Sequence, residues 1–419
     1  METDETRAGE REPGAPRVWP YRPRSGEELL RALEEIGCDP RAFPYFEAKR
    51  DVRVFRIADL DARGANVLKQ EALARGADAA IHARCVDGGV SRSDGLLFAT
   101  PKQLGQLLDK LAAAPYFGLG RLREELRRAA EGIERRPGGI DLPRGRRLTF
   151  SGRSRIMGIL NLTPDSFYAG SRVEDAGGAA DRAARMVAEG ADLLDLGAES
   201  TRPGSDPVPE EEERARLVPA LRAIRSLLPE VPLSVDTNKA AVAREALAAG
   251  ADMINDITAL EDPEMARVVA ESGAALVLMH MKGTPRTMQE APAYGDVLGE
   301  VRDFLAERIR RAEEAGVPRD RIVLDPGIGF GKRKEDNLRI LRHLEAFRGF
   351  GLPLLIGHSR KSLIGRILDA PDPADRLEGT LAVSALCAAE GVEILRVHDV
   401  RENLRVLRTV AMVRQGSAD

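Results

Sequence analysis

From residue 146 onward, short apolar runs alternate with helical sequence eight times, and every run empties into polar residues. The first is Ile156-Met-Gly-Ile-Leu160, ending in Asn161. The others are Leu193-Leu-Asp-Leu196, Leu233-Ser-Val235, Met253-Ile254, Ala275-Leu-Val-Leu-Met279, Ile322-Val-Leu324, Leu354-Leu-Ile356 and Ile394-Leu395. Near-continuous apolar runs suit strands covered on both faces, as in a parallel sheet. Parallel neighbours need crossover connections, which the intervening helical sequence supplies. Eight such units predict a (β/α)8 barrel, in which catalytic groups sit at the C-terminal ends of the strands.

Those ends deliver Asn161, Asp236, Asn255, His280, Asp325, Lys361, Arg396 and His398, together with the cluster Gly197-Ala-Glu-Ser-Thr-Arg202. Helix capping explains one or two of them, Asp236 for instance, because caps use Ser, Thr, Asp or Asn. It does not explain Lys361, Arg396 or His398. The convergence points to an active site holding both acceptors and donors. Asp236, Asn255 and Asp325 suit an amidine-like edge, since a carboxylate matches two parallel N–H groups. Lys361 suits a carbonyl or ring nitrogen. Arg396 and His398 lie where barrels commonly hold phosphate. Asn161 offers an oxygen to a Mg²⁺ ion that also contacts phosphate. A flat nitrogen heterocycle bearing phosphate or diphosphate satisfies the set.

Upstream the pattern is different. At 419 residues the chain is long enough for two domains. Residues 1–24 are rich in Pro, Arg and Glu and read as a flexible tail. Residues 25–136 read as a small accessory α/β domain. In it, Ser25-Gly-Glu-Glu28 resembles a capping box. Strands are expected near 52–57, 77–85 and 95–99, and Leu104, Leu107, Leu108 and Leu111 recur at helical spacing. His82 beside a strand is expected to be structural. Residues 137–145 read as a linker, residues 146–419 as the barrel, and Leu148–Phe150 as one arm of a hairpin with the next strand. With 43% hydrophobic and 31% charged residues a large core is available, and a net charge of −4 gives no pointer to nucleic acid or an anionic membrane. Cys38, Cys85 and Cys387 form neither a metal-ligand spacing nor a disulfide framework. No apolar segment suggests a signal peptide or a membrane span. A cytoplasmic homodimer is the expected state.

Eight motifs, in order, make residues 154–412 resemble the dihydropteroate synthase family. They are Met157-Gly-Ile-Leu-Asn-Leu-Thr-Pro-Asp-Ser-Phe167, Gly197-Ala-Glu-Ser-Thr-Arg-Pro-Gly204, Ser234-Val-Asp-Thr237, Ile254-Asn-Asp-Ile257, Met279-His-Met281, Asp325-Pro-Gly-Ile-Gly-Phe-Gly331, Ser359-Arg-Lys-Ser362 and Arg396-Val-His-Asp-Val400. The resemblance implies condensation of 6-hydroxymethyl-7,8-dihydropterin diphosphate with 4-aminobenzoate. It also implies roles. Asp236, Asn255, Asp325 and Lys361 would hold the pterin, with Arg396 over its face. Asn161, Arg396 and His398 would hold the diphosphate, with Mg²⁺ at Asn161. Thr201, Arg202, Pro203, Phe330 and Ser362 would shape the aminobenzoate pocket. Asp165 would stabilise a cationic intermediate, so the catalytic set is Asp165, Lys361, Arg396 and His398.

The chain departs from the family's usual Ser-Asp-Gly-Gly-like segment after Phe167, where it reads Tyr168-Ala-Gly-Ser171. Two other readings compete: a methyltetrahydrofolate-type methyltransferase barrel, and a non-catalytic pterin-binding paralogue. Ser359-Arg-Lys-Ser362 and Arg396-Val-His398 argue against the first. The altered segment at Tyr168 is the only support for the second.

Overall fold

The structure, a computed structural model, describes residues 23, 26–47, 49, 51–134, 136–162, 172–199 and 207–415. The chain divides into two compact units, residues 1–127 and 128–419. The division falls inside the helix Leu119–Glu134.

The first unit holds a three-stranded antiparallel sheet made of β1 (Arg53–Asp61), β2 (Asp78–Ile81) and β3 (Arg92–Ala99), in the order β1-β3-β2. The helices Ala62–Leu73 and Pro101–Ala112 pack on it through Leu68, Ala72, Leu104, Leu107 and Leu111. The second helix starts with a reciprocal cap: Thr100 N donates to Gln103 Oε1 at 2.8 Å, and Gln103 N donates to Thr100 Oγ1 at 3.4 Å. The expected capping residue Ser25 lies outside the described residues. The strand expected over 77–85 stops at Ile81, because His82 Nδ1 accepts the Arg84 N–H at 3.1 Å and turns the chain into a 3₁₀ turn. His82 is therefore a turn cap, in line with a structural role.

The second unit is a closed parallel barrel. Its strands are β6 (Arg155–Asn161), β7 (Leu193–Gly197), β8 (Leu233–Asp236), β9 (Met253–Asp256), β10 (Ala275–Met279), β11 (Ile322–Asp325), β12 (Leu355–Ile356) and β13 (Ile394–Val397), preceded by β4 (Gly139–Asp141) and β5 (Arg147–Thr149). They neighbour each other in the order β11-β10-β9-β8-β7-β6-β13-β12. The ring closes where Leu324 N donates to Pro353 O at 2.9 Å beside the Leu324–Leu354 bridge. Successive side chains point to opposite faces. Ile156 and Leu160 face the helices, whereas Met157 joins Leu193, Met253, Val277, Val323 and Ile394 inside the ring. Both faces are buried, which is why these strands read as unbroken apolar runs.

The expected hairpin partner of Leu148–Phe150 differs. Leu148 pairs with Ile140 in an antiparallel β4–β5 hairpin that lies largely within the expected linker. Ile140, Leu142 and Leu148 alternate so that they join the interior cluster and seal the N-terminal end of the barrel. The connecting turn puts Arg144 and Gly145 at φ 62° and 72°.

At that same end, three acids placed just before strands accept an N–H at or beside the start of a neighbouring strand. Asp192 takes Ile156 N at 2.8 Å, Asp252 takes Leu233 N at 3.0 Å and Glu393 takes Leu354 N at 2.9 Å. Each is also paired with arginine. The Asp252 side chain is fully buried and binds Arg144 at 2.8 Å, Arg225 at 2.6 Å and Arg146. Removing a buried carboxylate strands its partners at a cost of about 3–5 kcal/mol. Asp252→Ala should therefore lower unfolding free energy by about that much in denaturant titration. The C-terminal mouth of the barrel should be left intact in the molecules that remain folded.

Candidate active site

The C-terminal ends of the strands are tied together by one guanidinium. Arg396 reaches from β13 across the mouth. Its Nε donates to Asp195 Oδ2 at 2.6 Å, and one terminal nitrogen donates to Asp236 Oδ2 at 2.9 Å. Asp195 Oδ2 also accepts from Asn255 Nδ2 at 3.1 Å. Four strands, β7, β8, β9 and β13, thus share one network. Asp195 is wholly buried, and its second oxygen has no partner among the described residues. Burial pushes the Asp236 carboxyl up to about 7, with Arg396 opposing the rise and the negative charge of Asp195 adding to it. For Arg396, burial works against the charge but is outweighed by Asp195 and Asp236, which hold its pKa above the ordinary value. Asp236 is thereby engaged by Arg396 and caps no helix.

Asp256 points the other way from Asn255. It accepts Thr258 N at 2.9 Å, Thr258 Oγ1 at 2.7 Å and Leu260 N at 2.7 Å, and so shapes its own loop. After β7, Lys239 holds the start of the loop by binding Glu199 and, at 2.5 Å, the buried Glu213.

The loop Asp325–Gly331 forms the opposite wall. Asp325 Oδ1 accepts Gly327 N at 2.7 Å. Gly327 sits at φ 70°, and a Cβ there would collide with the carbonyl oxygen of His280, so this position needs glycine on two counts. Lys332 is buried and touches no carboxylate. Its Nζ donates to Gly327 O at 2.8 Å, Phe330 O at 3.0 Å and His280 O at 3.2 Å, and lies 2.9 Å from His280 Nδ1. Burial lowers Lys332 to about 7. Burial, reinforced by Lys332, lowers His280 to about 2, so its ring is neutral. Lys361 Nζ donates to Ile328 O at 2.6 Å and lies 4.2 Å from the centre of the Phe330 ring. Burial lowers Lys361 to about 8 against the pull of Asp325, and burial raises Asp325. Lys361 and Arg396 flank Gly357, where a Cβ would lie 3.8 Å from Lys361 Nζ and 3.9 Å from Arg396 Cβ.

Of the residues expected from the sequence, Asp236, Asn255, Asp325, Phe330, Lys361 and Arg396 are thus gathered at one mouth. Asn161 is half-buried at the end of β6, beside Gly197 in register. His398 is exposed, with Nδ1 3.0 Å from Ser359 Oγ. Ser362 is exposed and opens the helix Ser362–Leu368. No hydrogen bond joins Asn161 or Ser362 to the network among the described residues. Asp165, Thr201, Arg202 and Pro203 lie outside those residues, as does the departure at Tyr168. Asp195 and Lys332 were not singled out by sequence. The signal for Asp195 is a charged residue inside an apolar, doubly covered strand. Lys332 carries no comparable mark. Among the described residues, no cluster of three or more His, Cys, Asp or Glu side chains is disposed to hold a metal, and no helix is long and apolar enough to cross a membrane.

Comparison with known proteins places this mouth in context. The pterin binding enzyme family matches residues 157–398. The dihydropteroate synthase of Escherichia coli (strain K12) is 46% identical over 255 residues, covering 61% of this chain and 90% of that protein. A "Probable bifunctional folylpolyglutamate synthase/dihydropteroate synthase" of Haloferax volcanii is 38% identical over 396 residues, or 92% of this chain, so the similarity extends beyond the barrel. The chain spans about half of that relative, 46% of its length. The solved dihydropteroate synthase of Xanthomonas albilineans with 4-aminobenzoic acid superimposes with a TM-score of 0.62 at 44% identity, over 67% of this chain and 100% of that one. The same enzyme in complex with 7,8-dihydropteroate gives a TM-score of 0.59 at 42% identity, over 67% and 100%.

The raised Asp236 pKa fixes the sign of a pH effect. Between the ordinary value of 3.8 and about 7, the unfolded chain has released this proton while the folded chain still holds it. The folded state therefore loses stability through this group as pH rises across that window. Asp236→Asn should flatten the fall. Denaturant titrations from pH 4 to 8 should show the gap between variant and parent shifting in favour of the variant as pH rises. A constant gap would contradict it.

Proposed function

Because the chain belongs to the pterin binding enzymes and, within them, to the dihydropteroate synthases, we propose that it joins 6-hydroxymethyl-7,8-dihydropterin diphosphate to 4-aminobenzoate, giving 7,8-dihydropteroate and diphosphate. The observation that carries the reading is the gathering of Asp236, Asn255, Asp325, Lys361 and Arg396 around one barrel mouth. Acceptors on β8, β9 and β11 take the N–H groups of the heterocycle's amidine edge. Lys361 donates to its carbonyl or ring nitrogen. Arg396 already gives Nε and one terminal nitrogen to carboxylates. Its flat face is left for the pterin ring and its other terminal nitrogen for the diphosphate.

The reaction breaks the bond from the exocyclic carbon to diphosphate and forms one to the aniline nitrogen, which then sheds a proton. An electron-rich pterin stabilises positive charge on that carbon, so no strong base is needed and positioning carries the catalysis. Arg396 and His398 stabilise the charge growing on the departing diphosphate. Ser359 orients His398 through its hydroxyl. Phe330, buried beside Ile257, Met279 and Met288, gives the aminobenzoate ring an apolar wall, and Ser362 an N-terminal helix position for its carboxylate. Thr201, Arg202 and Pro203 complete that pocket. Asp165 stabilises the cation.

Asn161 presents one neutral amide oxygen, a donor that fits Mg²⁺ taking its remaining ligands from diphosphate and water. When bound there, the ion supplies charge neutralisation to the leaving group. The proposed working state is a cytoplasmic homodimer.

A coupled assay of diphosphate release that depends on 4-aminobenzoate tests the reading. Lys361→Met should lower turnover by about 100-fold or more. Asp195→Asn, which keeps the volume but removes the charge that fixes Arg396, should lower kcat/KM by roughly 10–100-fold with the fold retained. Chelating Mg²⁺ should abolish release. Release without 4-aminobenzoate, or unchanged turnover in Lys361→Met, would contradict the assignment, and unchanged turnover in Asp165→Asn would remove that residue's role.

A further inference from the structure

At the other end of the barrel, a cavity of about 320 Å³ lies beside the N-terminal ends of β6 and β13 and the last helix, Val400–Gln415. That volume falls at the lower end of the range for small-molecule sites. Its lining divides by chemistry. Phe150, Leu407 and Val410 supply apolar surface, and Arg136, Arg153 and Arg414 supply guanidinium groups. All belong to the second unit, and none takes part in the network at the strand C-termini.

The guanidiniums outnumber the carboxylates that answer them. Arg153 is matched by Asp192, at 2.7 and 3.1 Å. The neighbouring Arg348 is matched by Glu393 at 2.7 Å. Among the described residues, Arg414 binds only carbonyl oxygens, those of Ala388 (3.1 Å) and Ala389, at the end of the helix Leu377–Ala389. Arg136 makes no hydrogen bond or ion pair with any described residue. It lies against Gly391, at φ 74°, where a Cβ would strike its guanidinium. Burial, together with the charges of Arg348 and Arg414, lowers the Arg136 pKa, while Glu393 and Glu390 oppose the change. Arg136 and Arg414 are both solvent-exposed and neither is paired with a carboxylate among the described residues, so both guanidiniums lining the cavity are available to an anion that approaches from solvent.

We propose that this cavity is a second small-molecule site, which takes a monoanion of the aromatic-carboxylate class through Arg136 and Arg414, with the ring against Phe150, Leu407 and Val410. The volume admits a ring and one acidic group. A planar carboxylate matches the guanidinium fork. Glu393 also lines the cavity, which disfavours a dianion such as phosphate.

The test is calorimetric titration of the full chain with 2-naphthoate, using inorganic phosphate as a second probe. Saturable binding of 2-naphthoate is expected. It should weaken at least about tenfold in Arg136→Gln, the loss expected for one charge-assisted contact. Val410→Trp, which fills the cavity, should weaken it as well. Lys361→Met, at the opposite mouth, should leave it unchanged, and Arg136→Gln should keep parental turnover. Absence of saturable binding, equal affinity in Arg136→Gln, loss in Lys361→Met or tighter binding of phosphate would each overturn the proposal. None of these results bears on the diphosphate-release assay, so the two readings fail separately.

Discussion

One partly buried guanidinium held between two buried acids constrains the rest of the mouth. Charges removed from water are expensive unless they are paired and their remaining positions satisfied. Arg396 meets Asp195 and Asp236 at 2.6 and 2.9 Å, and Asn255 supplies a further donor to Asp195. The arrangement requires β7, β8, β9 and β13 to end at the same height, which a closed parallel barrel provides. A ligand entering this mouth would meet a guanidinium already held in place, which limits the reorganisation that binding requires.

The two ends of the barrel use the same residue types for different ends. At the N-terminal side, Asp192, Asp252 and Glu393 each take a strand N–H and an arginine, and the hairpin residues Ile140, Leu142 and Leu148 close the interior. Those acids hold strands together. At the C-terminal side, Asp236, Asp325 and Lys361 have their pKa values moved toward neutrality by burial, the condition under which groups exchange protons and contacts with a ligand. Lys332 belongs to neither class. It fastens the Asp325–Gly331 loop by four contacts without meeting any carboxylate.

The strands were legible because burial on both faces leaves an unbroken apolar run, and their polar ends were legible because each breaks that run. Asn255, Asp325 and Arg396 were found this way. Asp195 was not, since its importance depends on Arg396, distant in sequence and brought near only by ring closure. Lys332 was missed for a similar reason, as three of its four partners are backbone carbonyls that no residue type announces. The β4–β5 hairpin escaped because Pro137-Gly-Gly139 and Pro143-Arg-Gly145 resemble a linker, and only the barrel interior explains why Ile140 and Leu142 alternate between them.

The central claim is that buried acids at this mouth wait for the N–H edge of a pterin. Titration calorimetry of the ligand-free protein with 6-hydroxymethyl-7,8-dihydropterin at pH 7, in buffers of different ionisation enthalpy, measures both binding and proton exchange. The account predicts saturable binding with net proton release, because Asp236, raised to about 7 by burial, becomes a carboxylate acceptor when the ligand's N–H donors reach it. Net proton uptake, or no binding, would contradict it.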